Sequence, residues 1–177
     1  MTEPATSRPR VVLVGAMGAG KSTVGRLVAD ALGVRFLDTD EVVERAAGRS
    51  VSEIFVDEGE AHFRDLERRA VAESLATHGG VLALGGGAPM DMTTRELLDG
   101  HRVVFLRVGL ADAAQRVGLG VSRPLLLGNV RGRIKQLLDE RTPVYESVAQ
   151  HSVDTDGLTA AEVADRVRAV VEDDSHE

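Results

Sequence analysis

Short apolar runs alternate along this chain with longer stretches in which apolar residues recur at helical intervals. Continuous apolar runs of this length are typical of strands that are covered on both faces. They predict strands at Val11–Val14, Val34–Leu37, Val81–Leu84 and Arg102–Leu106, and a weaker strand at Ser152 and Val153. Strands that alternate with helices form a parallel sheet between helical layers, so we expect an α/β fold with three α/β/α layers.

Helical periodicity is clearest over Lys21–Leu32, which Gly33 is placed to end. A mostly helical region follows over residues 41–77, interrupted by Gly48 and Gly59. Further helices are predicted at residues 129–149 and 159–170, the latter beginning with a capping box of Thr159 and Glu162. Periodicity is lost over residues 110–128, and we expect the later part of this stretch to be a mobile loop.

Length and composition fit one domain: the chain has 177 residues, of which 43% are hydrophobic and 28% charged. The net charge of −7 argues against nucleic acid or an anionic membrane as the main partner, since phosphate backbones are bound through basic surfaces. The absence of cysteine excludes disulfides and thiolate metal sites. Without a membrane-length apolar run or a signal-peptide core, the expected location is the cytoplasm. Residues 1–9 are expected to be a disordered lead and residues 172–177 a frayed acidic tail.

The strongest functional motif runs from Gly15 to Ser22, Gly-Ala-Met-Gly-Ala-Gly-Lys-Ser, and matches the P-loop pattern G-x-x-x-x-G-K-[ST]. Glycines let successive backbone N–H groups converge on one anion, and the following helix adds its dipole. Lys21 would reach the β- and γ-phosphates, and the Ser22 hydroxyl would bind Mg²⁺. A chance match in a chain of this length has a probability of roughly one per cent. The motif predicts binding of a nucleoside triphosphate but does not name the acceptor.

Two carboxylates, Asp38 and Asp40, follow the second predicted strand. A period of two puts both on the same side if the strand persists. One could hold a water of the Mg²⁺ shell, and the other could accept a hydrogen bond from an alcohol nucleophile. Such a pair alone more often caps a helix or forms a turn, but the P-loop upstream favours a functional interpretation.

Arg64 and Glu67 are three residues apart in a predicted helix, where they can pair. The pair is either a surface ion pair of little energetic value or an arrangement in which Glu67 holds Arg64 ready for a substrate carboxylate. The residues alone leave both interpretations open. The triplet Gly85-Gly86-Gly87 directly follows a predicted core strand, which indicates close approach of a ligand to the backbone rather than a flexible turn.

Three arginines, Arg116, Arg123 and Arg141, flank or lie within the aperiodic stretch and the helix after it. Phosphoryl transfer requires positive charge near the γ-phosphate, and an arginine on a closing loop can supply it while excluding water. Each arginine alone is equally compatible with an ordinary surface position.

Together these motifs resemble those of the shikimate kinase family, in the family's order and with its rough spacing over residues 11–155. Each motif alone is modest, but the set is highly specific. Its members are Gly-Ala-Met-Gly-Ala-Gly-Lys-Ser-Thr-Val-Gly-Arg from Gly15, Leu37-Asp38-Thr39-Asp40, Phe63-Arg64-x-x-Glu67, Leu84-Gly85-Gly86-Gly87-Ala88, Arg123-Pro124-Leu125-Leu126 and Arg141-x-Pro143-x-Tyr145.

The resemblance implies transfer of the γ-phosphate of ATP to the 3-hydroxyl of shikimate, a step toward chorismate and the aromatic amino acids. It implies that Asp40 binds the acceptor hydroxyl and is its candidate base, and that Lys21 and the lid residue Arg123 act on the transferring phosphate. Arg64 and Arg141 would grip the shikimate carboxylate. The other implied acceptor contacts are the backbone of Gly86 and Gly87 beside the ring and the apolar side chains of Phe55 and Phe63.

For the nucleotide, the resemblance implies that Arg116 stacks near the adenine and that one Mg²⁺ ion is held by Ser22 and, through water, by Asp38. The implied ATP-binding residues are Gly18, Ala19, Gly20, Lys21, Ser22, Thr23, Arg116 and Arg123. Many relatives carry a basic or proline-containing segment near the adenine after the last strand. Here the segment reads Asp154-Thr155-Asp156-Gly157-Leu158, so we assign it no adenine contact.

The family fold implied is a P-loop NTPase fold of the nucleoside-monophosphate-kinase type, with five parallel strands and a single domain that acts as a monomer. Its substrate-binding helical region would be residues 41–78 and its lid residues 117–129. One alternative is a related P-loop kinase such as a gluconate kinase. Another is a non-catalytic nucleotide-binding regulator, which would be expected to lack Asp40, Arg64 or Arg123, yet all three are present.

Overall fold

The central feature is a parallel sheet of five strands, seen in a computed structural model that describes residues 7–118 and 129–174. The strand order is β2-β3-β1-β4-β5, and every pairing is parallel. The strands are β1 (Val11–Val14), β2 (Phe36–Asp38), β3 (Val81–Ala83), β4 (Val103–Arg107) and β5 (His151–Asp154). The predicted α/β class with five parallel strands is confirmed.

Helices connect the strands and cover both faces of the sheet. All side chains of β1 and β3 are completely buried, and because successive residues of a strand point to opposite faces, neither face is open to solvent. The helices are α1 (Lys21–Leu32), α2 (Thr39–Ala47), α3 (Val51–Glu58), α4 (Glu60–Thr77), α5 (Met92–Leu98), α6 (Leu110–Gly118), α7 (Val130–Val148) and α8 (Ala160–Asp174), with a 3₁₀ turn at Ala88–Met90. In the described ranges, none of these helices is both long and apolar enough to cross a membrane.

Strand β1 lies at the centre, between β3 and β4. After β1 the chain forms β2 and β3 on one side of that strand, and it then crosses to form β4 and β5 on the other side. A reversal of this kind creates a crevice at the carboxyl ends of the strands, where α/β proteins bind their ligands. The segments that follow β1, β2 and β3 are the P-loop, the Asp38–Asp40 segment and the glycine triplet, so all of them meet at this edge.

Two separate apolar clusters make up the interior. The main one surrounds the sheet, and a smaller one consists of Val43, Ile54, Phe63 and Ala70 from helices α2–α4. Helix α4 belongs to both, because Val71 and Leu75 in its second half pack into the main cluster. The predicted helical region at residues 41–77, broken at Gly48 and Gly59, corresponds to these three helices, although α2 already begins at Thr39.

Strand β2 starts at Phe36, two residues later than the predicted Val34. The reason is local: the N–H of Val34 donates to the carbonyl of Ala29 at 3.0 Å, which makes Val34 part of the C-terminal turn of α1. The αL conformation of Gly33 closes the same turn, as predicted.

Helix α6 contradicts the expectation of an irregular stretch from residue 110, because residues 110–118 form nine residues of helix. Of the predicted lid at residues 117–129, residues 117–118 form the end of α6 and Asn129 is the N-cap of α7. The remaining lid residues, 119–128, lie outside the described part of the chain. Helix α5 was also not predicted, although Asp91 caps it by accepting a hydrogen bond from the N–H of Thr94 at 3.1 Å.

The predicted lead at residues 1–9 and tail at residues 172–177 each include described residues that contact the rest of the fold. In the lead, Pro9 is buried and the Arg8 guanidinium donates to the carbonyl of Gly100 at 2.6 Å. At the other end α8 continues to Asp174, whose carboxylate accepts a hydrogen bond from Arg102 at 3.0 Å. The Thr159–Glu162 capping box at the start of α8 is confirmed, with reciprocal backbone-to-side-chain bonds of 3.1 and 3.3 Å. Residues 1–6 and 175–177 lie outside the described ranges.

We predict that Gly80→Ala lowers the free energy of unfolding by about 2 kcal/mol or more, whereas Gly79→Ala has little effect. A Cβ atom at Gly80 would lie 1.9 Å from the carbonyl oxygen of Arg35, which also accepts a hydrogen bond from the N–H of Val81. A Cβ atom at Gly79 would meet only the Ser7 side chain at 3.3 Å. Urea unfolding of the two variants measures the difference, and equal stabilities would contradict the prediction.

Candidate active site

The P-loop turns tightly between β1 and α1. Gly18 and Gly20 adopt φ values of 85° and 87°. L-residues with a side chain rarely adopt such values, which explains why glycine occupies both positions. Because Gly20 is the N-cap of α1 and has no side chain, no N-cap side chain covers the positive end of the helix dipole. The Lys21 ammonium group lies against the loop and donates to the carbonyls of Gly15 at 2.7 Å and Ala16 at 3.2 Å. This conformation is that of an anion-binding P-loop.

Asp38 links the P-loop to the beginning of α2. Its Oδ2 atom accepts a hydrogen bond from the Ser22 hydroxyl at 2.7 Å, and its Oδ1 atom accepts one from the N–H of Asp40 at 2.8 Å. The prediction that both carboxylates lie on one side of a strand required β2 to continue to Asp40. It does not continue, because Asp38 ends β2 and is the N-cap of α2. The Asp38 side chain thus both caps α2 and binds the hydroxyl of the P-loop serine. Asp40 reaches the cavity from the first turn of α2.

The oxygens of Ser22 and Asp38 are suited to Mg²⁺, which prefers hydroxyl, carboxylate and water oxygens over softer ligands. Within residues 7–118 and 129–174, no group of three or more His, Cys, Asp or Glu side chains could by itself hold a metal ion. The donor set therefore fits an ion that is shared between the protein, a nucleotide and water.

Arg64 and Glu67 form a buried pair rather than a surface pair. Their closest nitrogen–oxygen distance is 2.8 Å, and only 5% of the Glu67 side chain and 24% of the Arg64 side chain are exposed. Burial raises the pKa of Glu67 above its ordinary value, although Arg64 and Arg141 act in the opposite direction. The contact with Glu67 holds the Arg64 guanidinium at the wall of the cavity, so the pair is not an exposed surface ion pair.

The glycine triplet allows these side chains to approach the backbone. A Cβ atom at Gly87 would lie 2.5 Å from a nitrogen of Arg64, and one at Gly85 would lie 2.7 Å from Oδ1 of Asp40 and 3.0 Å from Oε2 of Glu67. Side chains at Gly85 and Gly87 would therefore collide with these charged groups, while the backbone of all three glycines lines the cavity. At Gly86 the nearest group is the Arg141 guanidinium, 3.6 Å away.

Two further residues shape this turn and were not predicted. The Thr39 hydroxyl is fully buried and accepts a hydrogen bond from the N–H of Gly85 at 3.1 Å. The Tyr145 hydroxyl donates to the carbonyl of Gly86 at 2.6 Å. Both residues stand within the quoted motifs, between Asp38 and Asp40 and at the end of Arg141-x-Pro143-x-Tyr145, so their position next to predicted site residues was the available signal.

A cavity of about 320 Å³ unites most of the predicted residues. One side of it is the P-loop and Asp38, and the other is the helical region and the glycine turn. The predicted residues that line it are Gly18, Gly20, Lys21, Ser22, Thr23, Asp38, Asp40, Phe63, Arg64, Gly86, Gly87 and Arg141, and further residues include Met17, Val51, Glu67, Leu84 and Gly85. Phe55 is not among them; it packs behind Phe63 with ring centroids 4.8 Å apart.

Arg116 lies at a second cavity of about 230 Å³ on the far side of the P-loop, lined also by Ala19, Gly20 and Thr23. Its guanidinium donates to the carbonyls of Gly18 at 2.8 Å and Thr155 at 3.4 Å. Arg116 therefore lies next to the P-loop, and its predicted stacking near the adenine stays a prediction. Arg123 lies outside the described residues.

The loop after β5, to which we assigned no adenine contact, is held to the beginning of α6 by hydrogen bonds in both directions. The carboxylate of Asp156 accepts from the N–H of Gly109 at 2.9 Å, and that of Asp112 accepts from the N–H of Gly157 at 3.3 Å. Leu158 and Thr155 line the second cavity beside Arg116. These residues are the part of the loop that faces the P-loop.

Comparisons with known proteins agree with this geometry. The family model for shikimate kinase matches residues 17–172. The chain is 57% identical over 162 residues to the shikimate kinase of Thermobifida fusca, which covers 92% of this chain and 94% of that protein. It is 52% identical over 166 residues to the shikimate kinase of Streptomyces coelicolor, covering 94% and 97% of the two chains.

Solved structures point the same way. Shikimate kinase from Acinetobacter baumannii in complex with shikimate is similar with a TM-score of 0.90 and 36% identity, covering 97% of each chain. A gluconokinase from Sinorhizobium meliloti is similar with a TM-score of 0.57 and 20% identity, covering 97% of this chain and 94% of that chain, and shares the fold alone.

We predict that Glu67→Gln gains stability relative to the wild-type protein as the pH rises above about 4.5, the ordinary glutamate pKa. In the unfolded chain Glu67 loses its proton near that value, whereas burial retains the proton to higher pH in the folded chain. The folded state then binds more protons than the unfolded state, so wild-type stability falls as pH rises through the interval between the two pKa values.

Urea unfolding of both proteins at several pH values from about 4 to 8 measures this difference. Glu60→Gln, which removes the exposed carboxylate 3.4 Å from Arg64, is the matched control. A stability difference that does not change with pH, or changes in the opposite direction, would show that Arg64 rather than burial dominates the ionisation of Glu67.

Proposed function

The chain belongs to the shikimate kinase family and is an ATP-dependent kinase, and from this premise we propose how its residues transfer the γ-phosphate of ATP to the 3-hydroxyl of shikimate. The observation that carries the proposal is one cavity with the P-loop on one side and a carboxylate–arginine cluster on the other. A phosphate donor and an anionic alcohol acceptor bound in this cavity would face each other.

The donor side consists of the P-loop and α1. Backbone N–H groups of Gly18, Ala19 and Gly20, together with the dipole of α1, would hold the phosphates. Lys21 would exchange its contacts with the loop carbonyls for contacts with the β- and γ-phosphates. Ser22 and Thr23 complete this side, and Arg116 at the second cavity would stack near the adenine.

One Mg²⁺ ion would be held by the Ser22 hydroxyl and, through a water molecule, by Asp38. When bound with ATP, this ion neutralises charge on the β- and γ-phosphate oxygens. The 2.7 Å hydrogen bond between Ser22 and Asp38 supports the assignment, because it already places the two oxygens next to each other.

The acceptor side would bind shikimate through its carboxylate. Arg64, fixed by Glu67, and Arg141, beside Gly86, present two guanidinium groups to it. Planar guanidinium groups bind carboxylates with paired hydrogen bonds, which orients the acceptor as well as attracting it. The backbone of Gly86 and Gly87 would lie beside the ring, with Phe63 as an apolar wall and Phe55 supporting it from behind.

Asp40 would accept the hydrogen bond of the 3-hydroxyl and take its proton during transfer. The acceptor oxygen would attack the γ-phosphorus, the bond from that phosphorus to the β,γ-bridging oxygen would break, and ADP would leave. Arg123 on the lid would neutralise charge on the transferring phosphoryl group and help to exclude water, since water at this position would hydrolyse ATP.

Gluconate is the rival acceptor. The gluconokinase similarity extends to the fold alone, at 20% identity, whereas the shikimate kinase of Thermobifida fusca is 57% identical over 162 residues. The buried Arg64–Glu67 pair and the glycine turn also favour a flat cyclic acid that can lie against backbone. We further propose that the enzyme acts as a cytoplasmic monomer on ATP and shikimate, without nucleic acid or membrane partners.

The test is a coupled assay of ADP release with shikimate, with gluconate and without acceptor. We predict release that depends on shikimate and a loss of at least about 100-fold in kcat for Lys21→Ala, because the lysine stabilises charge in the transition state. Lys135→Ala is the control, since this other lysine is exposed on α7 and pairs only locally with Asp139. Equal ADP release under all acceptor conditions would reject the proposed function, and a near-normal kcat for Lys21→Ala would reject the role of that residue.

A second prediction concerns the carboxylate grip. Arg64→Ala should raise KM for shikimate by about 10- to 100-fold and leave KM for ATP nearly unchanged, because a hydrogen-bonded ion pair to the acceptor alone is lost. Steady-state kinetics with each substrate varied in turn measures the effect. Arg69→Ala, an exposed residue of the same helix, is the control. An effect confined to ATP would contradict the assignment.

A further inference from the structure

One buried tyrosine connects helix α7 with the glycine turn on the acceptor side. We propose that Tyr145 is a positioning residue for the acceptor: its hydroxyl fixes the Gly86–Gly87 peptide so that the N–H of Gly87 and the guanidinium of Arg141 meet shikimate together. The proposal rests on the proposed function of the cavity and adds to it a residue that does not itself line the cavity.

The geometry of the phenol is specific. Tyr145 is fully buried, its ring packs on Phe105 with centroids 5.2 Å apart, and its hydroxyl donates to the carbonyl of Gly86 at 2.6 Å. Phe105 belongs to β4 in the sheet, so the ring is held from behind by the main core while the hydroxyl reaches forward to the turn. The hydroxyl hydrogen bond therefore crosses from a rigid part of the fold to a turn that has no side chains of its own.

A hydrogen bond to one carbonyl sets the direction of the next N–H group. The described residues contain no cis peptide bond, and in a trans peptide the C=O and N–H groups point in opposite directions. Because the carbonyl of Gly86 points at the phenol, the N–H of Gly87 points away from it. Gly86 and Gly87 line the cavity and the buried Tyr145 does not, so an N–H that points away from the phenol would be directed toward the acceptor.

The same side chain also faces Arg141. Residues 141 and 145 are one helical turn apart on α7, and the Arg141 guanidinium lies 3.6 Å from the position that a Cβ atom of Gly86 would take. Burial raises the pKa of the Tyr145 hydroxyl above its ordinary value, although a hydrogen bond to Arg141 and its charge act in the opposite direction. A protonated phenol is what the carbonyl of Gly86 requires, because only the O–H form can donate to it.

The chain offers an unusually clean test, because Tyr145 is its only tyrosine and it contains no tryptophan. Tyr145→Phe removes one oxygen atom and keeps the ring. We expect it to raise KM for shikimate by about 5- to 20-fold, with KM for ATP and kcat changed by no more than about threefold. The assay is steady-state ADP release, with thermal unfolding measured in parallel.

Ser147→Ala is the matched control, since it also removes one hydroxyl from α7, but an exposed one that donates only to the carbonyl of Val144 at 2.7 Å. It should leave KM for shikimate unchanged. The proposal is overturned if Tyr145→Phe leaves KM for shikimate within twofold of wild type, if it raises both KM values together, or if it lowers kcat at unchanged KM. It is also overturned if Ser147→Ala raises KM for shikimate as much as Tyr145→Phe does.

A spectroscopic measurement keeps the test decisive if Tyr145→Phe does not fold. Growth with 3-fluorotyrosine labels this single position in the otherwise wild-type protein. A ¹⁹F resonance that shifts saturably with shikimate, and stays in place with ADP, supports the proposal; a resonance that does not respond to shikimate overturns it. If the wild-type enzyme itself shows no shikimate-dependent ADP release, the proposed function fails first, which separates the two failures.

Discussion

The site depends on a turn without side chains at the carboxyl end of β3. Asp40, Arg64 and Glu67 occupy the space in which side chains of Gly85 and Gly87 would stand. Because the turn has no side chains, the charged groups of these three residues can pack directly against its backbone at the carboxyl end of the sheet. Thr39 and Tyr145 hold the turn from its two sides through hydrogen bonds to Gly85 and Gly86, so a flexible sequence adopts one conformation.

The electrostatics follow from this packing. A carboxylate as buried as that of Glu67 is expensive to desolvate, and the arginine beside it offsets only part of that cost. The pair is therefore expected to add little to the free energy of folding. Its main effect is to hold the Arg64 guanidinium in place. The donor side works differently, because its charge is supplied by backbone amides and one lysine at a helix terminus. Under the proposed function, the two substrates would therefore be recognised by different kinds of positive charge.

Much of the architecture could be predicted from the sequence because its elements are dictated locally. The four apolar runs led to strands within two residues of their observed bounds, and the P-loop pattern has a fixed backbone conformation. The helix at residues 110–118 was missed because it runs directly into a segment with Gly118, Gly120 and Pro124, which interrupts helical periodicity over the stretch as a whole. The start of β2 was misplaced because Val34 has strand propensity but completes the last turn of α1.

The missed site residues have a common physical reason. Thr39 and Tyr145 act through hydrogen bonds to residues 46 and 59 positions away in the chain, and no local pattern specifies such pairs. Asp38, Arg64 and Arg141 line one cavity, and the sequence singled them out because they stand as charged residues within recognisable motifs. For the Arg64–Glu67 pair the sequence left two interpretations open; the burial of Glu67, which is a tertiary property, shows that the pair is not an exposed surface ion pair.

Helix α4 has a consequence for how the acceptor side moves. Its first half carries Phe63, Arg64 and Glu67, and its second half inserts Val71 and Leu75 into the core around the sheet. Eighteen residues of continuous helix form a rod of about 27 Å, which joins the wall that would receive the acid group to the core around the sheet. Helices α2 and α3 have no such anchor, since their buried apolar residues belong to the smaller cluster. A mechanical tie of this kind makes the acceptor wall depend on the stability of the sheet core.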